Sequence, residues 1–301
     1  MHKMSGYFKK NEIVIQYNGG LGNQMFQYAM ACNYEKQGKK VKHALFHYDE
    51  TPDVMPFVLN KVFRNIVLEI ADVEHTKAMM QENIQRSIKT KILNKLFPST
   101  IRYYCEGKEL RYDARALKLT TAVLTGYWQS YRYAQNAETL IRKKFEFSKI
   151  EDEKTCKLIE QMKSENSVSV HIRAGDYLQT GNTELFGGIC TQQYYEEAIA
   201  CMEQKISNPL FFVFSNDIDW CKKNILLTNV VWIDQEILPK HEDWVEMYLM
   251  SCCKHNIIAN SSFSWWAAWL NKNKYKTVIA PKKWINHIEN DEMCPPDWIR
   301  I

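Results

Sequence analysis

The stretch Ser167-Val-Ser-Val-His-Ile172 alternates polar with apolar residues and is rich in β-branched ones, which predicts a strand. The apolar run Leu210-Phe-Phe-Val-Phe214 is short enough to be a second, buried strand. Helical patterns alternate with further strand-like runs from there to Ala280. Because strands that alternate with helices form parallel sheets with helices on their faces, the pattern predicts an α/β fold.

The first half of the chain repeats this alternation. Ile13-Val-Ile15 predicts a strand, residues 18–24 form a Gly-rich turn, and helical periodicity follows. A length of 301 residues suits two domains, at about 100–200 residues each. A charged, aromatic-poor segment at 148–165 indicates the approach to the second domain. We therefore predict two Rossmann-like domains, residues 1–160 and 161–301, with parallel sheets that face a cleft between the domains.

The composition is that of a globular protein with a mild positive charge. Hydrophobic residues make up 46% and charged residues 25%, which excludes a disordered chain, a collagen-like repeat and a coiled coil. The net charge is 39 − 35 = +4. This balance suits one anionic small molecule better than a nucleic acid, which needs a concentrated basic stripe.

Apolar segments, cysteine spacing and one basic pattern indicate the cellular compartment of the protein. There is no run of ~20 apolar residues and no apolar core of a signal peptide at the N-terminus. The nine cysteines are scattered and include no Cys-x-x-Cys, so we expect a reducing, cytoplasmic compartment without structural zinc. Residues 84–97 form a basic amphipathic pattern, which predicts either an ordinary surface helix or a peripheral contact with the inner face of the membrane.

Four polar or glycine-containing clusters fall where strands are predicted to end. Ligands of open α/β sheets bind beyond the carboxyl ends of strands, so these clusters predict a ligand site. None is a dinucleotide fingerprint or a P-loop, because Met25 stands where a third glycine is needed and no Gly-Lys-Ser/Thr occurs. The clusters are Asn18–Gln24, His171–Tyr177, Phe214–Trp220 and Asn260–Leu270.

Each cluster also has an ordinary structural explanation. The Gly-rich turn could hold no ligand, and Arg173 with Asp176 could be a structural ion pair. Asp217-x-Asp219 could hold a divalent cation, but an Asp at the start of a helix is also an ordinary cap. The serines after Asn260 and the following helix N-terminus could bind an anion without net charge.

Taken together, the clusters resemble the α-1,2-fucosyltransferases of glycosyltransferase family 11. Five motifs carry the resemblance, in the order of the family and over nearly the whole chain: Asn18-Gly-Gly-Leu-Gly-Asn-Gln-Met-Phe-Gln-Tyr-Ala29, Gly126-Tyr-Trp-Gln-Ser130, His171-Ile-Arg-Ala-Gly-Asp-Tyr177, Phe214-Ser-Asn-Asp217 and Asn260-Ser-Ser-Phe-Ser-Trp-Trp-Ala-Ala-Trp-Leu270. The resemblance implies a GT-B-like fold and GDP-L-fucose as the donor. It also implies inversion at the anomeric carbon, attack by the 2-hydroxyl of a terminal galactose, and no metal.

The resemblance further implies a role for single residues. His171 and Asp217 would contact the guanine, and Arg173 the β-phosphate. The pyrophosphate and the fucose would be lined by Ser261, Ser262, Phe263 and Ser264. The other domain would close the cleft with Gly20, Gly22, Asn23 and Gln24. Family members often carry a second Arg where this chain has Ala174, so Arg173 would act alone or with Lys282 or Lys283.

The acceptor hydroxyl needs a base. Asp176 is the first candidate, because it lies just beyond the strand that carries Arg173, and Glu184 in the following loop is the second. Two other functions stay open: a metal-dependent glycosyltransferase that uses Asp217 and Asp219, and a non-catalytic glycan-binding protein. A galactose-terminated oligosaccharide or glycolipid is the expected acceptor.

Overall fold

The computed structural model describes residues 12–51, 55–84, 102–173, 183–239 and 241–301. The chain divides into two compact units, Met1–Glu146 and Phe147–Ile301. The second unit therefore includes residues 147–160, which were predicted to belong to the first domain.

The first unit contains a sheet of four parallel strands. Its strand order is β2-β1-β4-β3, and every neighbouring pair is parallel. β1 is central and carries the predicted Ile13-Val-Ile15 run, whose three residues are buried. The strands are β1 (Glu12–Gln16), β2 (Lys40–Ala44), β3 (Tyr103–Cys105) and β4 (Ala122–Thr125).

Six described helices accompany this sheet. The first is buried along most of its length, and Gly38 follows it in a left-handed conformation (φ 73°) that favours glycine. The last two of these helices are separated at Ala137, because the backbone there (φ −116°, ψ 22°) is not helical. The helices are α1 (Leu21–Glu35), α2 (Phe46–Glu50), α3 (Leu59–Val62), α4 (Val73–Ile84), α5 (Tyr131–Asn136) and α6 (Glu138–Lys144).

The second unit contains a sheet of six parallel strands. Its order is β10-β9-β8-β5-β6-β7, so β5 lies between β8 and β6. The apolar interior of β6 is buried, as predicted. All six residues of β5 are buried as well, although its alternation of polar and apolar residues is typical of a strand with one exposed face. The strands are β5 (Ser167–Ile172), β6 (Leu210–Ser215), β7 (Val230–Trp232), β8 (His255–Ile257), β9 (Val278–Ala280) and β10 (Ile299–Arg300).

The second unit also has six described helices. In the last of them Trp265, Trp266 and Trp269 are buried, so these tryptophans belong to the core. The helices are α7 (Glu153–Ser164), α8 (Thr183–Phe186), α9 (Gln192–Lys205), α10 (Ile218–Asn224), α11 (Asp243–Cys252) and α12 (Ser262–Leu270). Two parallel α/β units in one chain confirm the predicted α/β, GT-B-like class.

The predicted amphipathic helix at 84–97 lies outside the described residues apart from Ile84, the last residue of α4. Within the described ranges, no helix combines the length and apolar character needed to cross a bilayer.

Candidate active site

Three neighbouring strands of the second unit bring the predicted donor-site residues to one edge of its sheet. β5 pairs in parallel with both β6 and β8. Because the three strands run in the same direction, the residues that follow them lie at the same edge. Arg173 follows β5, Asp217 follows β6 and Ser261 follows β8. This is the edge at which open parallel sheets bind ligands.

His171 is a buried, neutral group at this edge. Its side chain lies against Phe263, with ring centroids 6.0 Å apart and ring planes at 43°. Burial, together with the positive charge of Arg173, lowers the pKa of His171 to about 3. In the described part of the chain, Nδ1 is buried and has no hydrogen-bond partner. The imidazole is therefore uncharged at neutral pH and keeps one nitrogen for a ligand.

Arg173 is the cation that the structure places at the end of β5. It is half-buried, and its charge reaches the ring of His171. A guanidinium in this position can donate two parallel hydrogen bonds to a phosphate. Ala174 and the predicted base Asp176 lie outside the described residues.

Four residues separate the end of β8 from the start of helix α12. Ser261 is its N-cap residue in extended backbone geometry, but the Ser261 side chain makes no capping hydrogen bond. No acidic residue lies in the first turn. The first N–H groups of any helix have no acceptor within the helix and form the positive end of its dipole. The start of α12 is therefore suited to an anion.

The three other predicted residues of this helix differ in their surroundings. Ser262 and Phe263 are half-buried. Ser264 is fully buried, and its hydroxyl donates to the backbone oxygen of Ser261 at 3.3 Å. The hydroxyl of Ser264 is therefore already used within the helix.

Asp217 is the N-cap residue of α10. Its Oδ1 accepts the backbone N–H of Trp220 at 2.9 Å, which is the ordinary capping role of an aspartate. Asp219 lies in the first turn of the same helix. Among the residues whose structure is described, no group of three or more His, Cys, Asp or Glu side chains could hold a metal ion. The exposed Asp217 thus stabilises a helix start at the ligand edge.

Glu184 lies in the short helix α8 and is exposed. The side-chain amide of Asn286 donates to the backbone oxygen of Glu184 at 3.0 Å. That of Asn260 donates to the backbone oxygen of Phe186 at 3.3 Å. Because Asn260 follows β8, these bonds hold α8 beside the same edge of the sheet. The role of Glu184 as a base stays a prediction.

The Gly-rich turn of the first unit requires a glycine at position 19. Gly19 is left-handed (φ 72°), and a Cβ there would lie 2.5 Å from Asn23 Nδ2. Gly20 is the N-cap residue of α1, and a Cβ on it would lie 2.9 Å from Met55 Sδ. The turn connects the end of β1 at Gln16 to the start of α1 at Leu21.

Gln24 has all four hydrogen-bonding positions occupied. Its Nε2 donates to the backbone oxygens of Gly19 (2.9 Å) and Pro56 (3.0 Å). Its Oε1 accepts the backbone N–H groups of Val58 (3.0 Å) and Leu59 (3.2 Å). The buried side chain therefore joins the Gly-rich turn to the segment before α3.

The neighbours of Gln24 connect this turn to a second motif. Gly22 is buried in the first turn of α1. Asn23 accepts a 2.8 Å hydrogen bond from the side-chain amide of Gln129, in the segment after β4. The motifs that begin at Asn18 and at Gly126 therefore form one cluster at the carboxyl edge of the first sheet.

Glu106 belongs to that edge and was not predicted from the sequence. It follows the edge strand β3, and its Oε2 accepts the backbone N–H groups of Tyr127 and Trp128. Burial raises the pKa of Glu106 to about 7, against the opposite effect of these two hydrogen bonds. The available signal was an acidic residue directly after the short run Tyr103-Tyr-Cys105, which was not recognised as a strand.

A family model and a relative match almost the whole chain. The model of the family described as "Glycosyl transferase family 11" matches residues 2–301. An α-1,2-colitosyltransferase of Escherichia coli is 33% identical over 300 residues, which cover 96% of this chain and 98% of that protein. Galactoside α-(1,2)-fucosyltransferase 1 of Ateles belzebuth is 35% identical over 107 residues, 34% of this chain and 28% of that protein. The solved structure of fucosyltransferase NodZ from Bradyrhizobium matches with a TM-score of 0.48 and 13% identity, over 87% of this chain and 94% of that one.

Proposed function

The chain belongs to glycosyltransferase family 11, and from that premise we propose that it transfers L-fucose from GDP-L-fucose to an acceptor. The acceptor is the 2-hydroxyl of a terminal galactose on an oligosaccharide or glycolipid, and the fucose anomeric carbon is inverted. The observation that carries the proposal is the common edge of β5, β6 and β8, which gathers Arg173, Asp217 and the start of α12.

This edge suits a nucleoside diphosphate that must leave with extra negative charge. As the bond between fucose and the β-phosphate breaks, charge grows on the departing GDP. The guanidinium of Arg173 and the first turn of α12 supply fixed positive charge and donors for that charge. Neutral His171 and the exposed Asp217 are proposed to contact the guanine. We therefore propose transfer without a metal, with Ser261, Ser262 and Phe263 beside the pyrophosphate and fucose.

A second donor has a specific observation in its favour. The relative that is 33% identical over 96% of this chain is named as a colitosyltransferase. Colitose is L-fucose without its 3-hydroxyl group, so a donor site that accommodates GDP-L-fucose has room for the corresponding colitose nucleotide. GDP-colitose is therefore the second candidate donor.

The experiment offers each GDP-sugar to the full chain with lactose, with N-acetyllactosamine and with a lipid-linked galactoside. Mass spectrometry identifies the sugar added, and NMR identifies the linkage. An α-1,2 linkage from GDP-L-fucose is the expected result. If only GDP-colitose is used, colitose replaces fucose as the transferred sugar in the proposal. If neither GDP-sugar is used, the proposal is contradicted.

Two further measurements separate the other function classes. Transfer in excess chelator is expected to equal that in buffer, and Asp219→Ala is expected to stay active. Loss in chelator that manganese restores favours a metal-dependent enzyme. Calorimetry is expected to detect GDP binding, whereas a non-catalytic glycan-binding protein would have no affinity for GDP.

The nature of the acceptor determines where in the cell the protein acts. A lipid-linked acceptor is reached at the inner face of the membrane, where the basic pattern over 84–97 suits anionic lipid. Peripheral contact of a cytoplasmic enzyme is part of this proposal. Cosedimentation with anionic vesicles tests it, and binding is expected to weaken as salt is added.

A further inference from the structure

The two faces of the second sheet carry different side chains. Successive side chains of a strand point to opposite faces of its sheet. Val168 and Val170 of β5, Ile257 of β8 and Ile279 of β9 belong to one apolar cluster, so they mark one face. The side chains between them in these strands, such as that of His171, point to the other face.

Helix α12 lies along that other face. Phe263, in its first turn, has its ring centroid 6.0 Å from that of His171. Asn271, which directly follows the helix, donates a 2.8 Å side-chain hydrogen bond to Asn256 Oδ1 of β8. Both ends of α12 therefore contact side chains of the same face, which we call the α12 face.

Lys282 extends from β9 on the α12 face. The ladder between β9 and β10 continues to this residue, because Ile301 N–H donates to the backbone oxygen of Ala280 (3.0 Å) and Lys282 N–H to that of Ile301 (2.7 Å). Pro281 is therefore opposite Ile301, whose side chain packs against the apolar cluster. By the alternation of side chains, that of Lys282 points to the α12 face. It is exposed.

Arg173 extends from β5 on the same face and at the same level. It comes two residues after His171, and its charge reaches the His171 ring. Val170, Ile257 and Ile279 are paired in one row across the three strands, and Arg173 and Lys282 each come three residues beyond this row. Adjacent strands are about 4.8 Å apart, and β8 lies between β5 and β9. The backbones of the two cations are therefore about 10 Å apart, on either side of the strand that leads into α12.

Positive charge between β5 and β9 is not neutralised by acidic residues of this unit that the structure describes. The first turn of α12 contains no acidic residue. Asp291 forms an ion pair with Arg300 (3.2 Å), and Arg300 also donates to the backbone oxygen of Lys282. Within the described ranges, the ammonium group of Lys282 has no ion pair of its own. An anion that approaches the start of α12 therefore meets a cation on each side and the positive end of the helix dipole.

We propose that Lys282 binds the β-phosphate of the donor from the β9 side of α12, opposite Arg173. This inference rests on the proposed function and assigns a second cation to its leaving group. Both side chains have long stems, so their charged groups can meet at one phosphate between the two strands. Lys282 thus supplies from β9 the charge that a second Arg would supply at position 174, where this chain has Ala174.

The order of residues along the edge indicates which phosphate Lys282 meets. From β6 to β9 the edge carries Asp217, Arg173, the start of α12 and Lys282. Asp217 is proposed to contact the guanine, so the nucleotide extends from β6 towards β9. The β-phosphate is the end of GDP that is farthest from the base. Lys282 should therefore recognise GDP but not GMP, which has no β-phosphate.

The test compares GDP and GMP binding to Lys282→Met in the full chain by calorimetry. Methionine keeps most of the stem but not the charge. The GDP dissociation constant is expected to rise about tenfold, while that of GMP and the melting temperature stay at the parent values. Lys274→Met is the matched control, because it makes the same change at an exposed lysine before β9, at the opposite edge of the sheet. It is expected to bind both nucleotides like the parent, and Lys282→Arg is expected to keep most of the GDP affinity.

Several outcomes overturn the inference. Unchanged GDP affinity in Lys282→Met does so, and so does an equal loss of GDP and GMP affinity, which would exclude a contact specific to the β-phosphate. A loss of GDP affinity in Lys283→Met but not in Lys282→Met assigns the second cation to the neighbouring residue. If Lys282→Met fails to fold, Lys282→Gln replaces it, and the same outcomes support or overturn the inference.

Failure of the proposed function has a different signature. The binding experiment contains neither a donor sugar nor an acceptor, so it does not depend on transfer. A parent protein that transfers neither fucose nor colitose contradicts the proposed function, while the GDP and GMP affinities of Lys282→Met still support or overturn the inference. A parent protein without affinity for GDP overturns both.

Discussion

Asn23 and Gln129 are joined by a 2.8 Å side-chain hydrogen bond across 106 positions of sequence. Asn23 lies in the first turn of α1, and Gln129 follows β4, so the bond connects the ends of two adjacent strands, β1 and β4. The two motifs form one structural element in the first unit, although they are distant in sequence.

This bond predicts energetic coupling between the two residues. Asn23→Ala and Gln129→Ala together should destabilise the chain by less than the sum of the single changes. The expected coupling is about 0.5–1.5 kcal/mol, the net value of one hydrogen bond. Denaturant unfolding of the parent, both single variants and the double variant measures it, and strictly additive effects would contradict the contact.

Gln24 should behave as a structural residue. Gln24→Ala leaves the backbone groups of Gly19, Pro56, Val58 and Leu59 without their partner. We expect a loss of about 3 kcal/mol or more in the free energy of unfolding. Gln37→Ala, at an exposed glutamine, is the control and should stay within about 0.5 kcal/mol of the parent. A parent-like melting temperature for Gln24→Ala would refute this expectation.

Arg173→Ala should lower transfer without unfolding the protein, because the lost cation is proposed to meet the phosphate. Loss of a preorganised donor to a developing charge costs about 10²–10³-fold in rate. Arg173→Lys keeps the charge but not the two-pronged geometry and should restore only part of the activity. Transfer and thermal melting are measured on the same samples. A low melting temperature without GDP would indicate a structural ion pair instead.

Asp217→Asn distinguishes the contribution of Asp217 to helix capping from the contribution of its carboxylate charge to GDP binding. Asn caps a helix about as well as Asp, so the melting temperature should stay unchanged while GDP affinity falls if the charge meets guanine. Asp217→Ala also removes the cap and should cost about 0.5–2 kcal/mol of stability. Calorimetry with GDP and thermal melting test both variants. If Asp217→Asn leaves the affinity for GDP unchanged, the role of Asp217 is helix capping alone.

Acidification should destabilise the second unit through His171. Burial, with the charge of Arg173, lowers the pKa of His171 in the folded protein to about 3, below its ordinary value of about 6.5. Between these two pH values the unfolded chain binds the proton more readily, so the free energy of unfolding falls as pH falls. At pH 4 the loss approaches about 3 kcal/mol. His171→Gln should remove this part of the pH dependence in denaturant unfolding between pH 7 and 4.

The strands that were predicted share one property, which is burial on both faces. The Ile13-Val-Ile15 and Leu210–Phe214 runs are apolar because they lie in the interior of a sheet. β3 has three residues, two half-buried and one exposed, so it lacks both an apolar run and an alternation long enough to recognise. The break at Ala137 has no Gly or Pro to indicate it.

The residues of the candidate site also fall into those whose position could be predicted from the sequence and those whose position could not. The gathering of His171, Arg173, Asp217 and Ser261 at one edge could be predicted, because each follows a strand with a recognisable pattern. Glu106 could not be placed, because its position depends on β3. The hydrogen bonds that occupy Gln24 and Ser264 depend on tertiary contacts, which spacing in the sequence does not contain.

The strand order of the first unit has a consequence for folding during synthesis. β1 is central, and its neighbours are β2, which follows soon, and β4, which begins more than 100 residues later. At roughly 5–20 residues per second, the ribosome completes β4 about 5–20 s after β1. Throughout that interval one edge of an apolar strand has no partner and can pair with other chains. We therefore expect the nascent first unit to be most prone to aggregation before residue 125 has emerged.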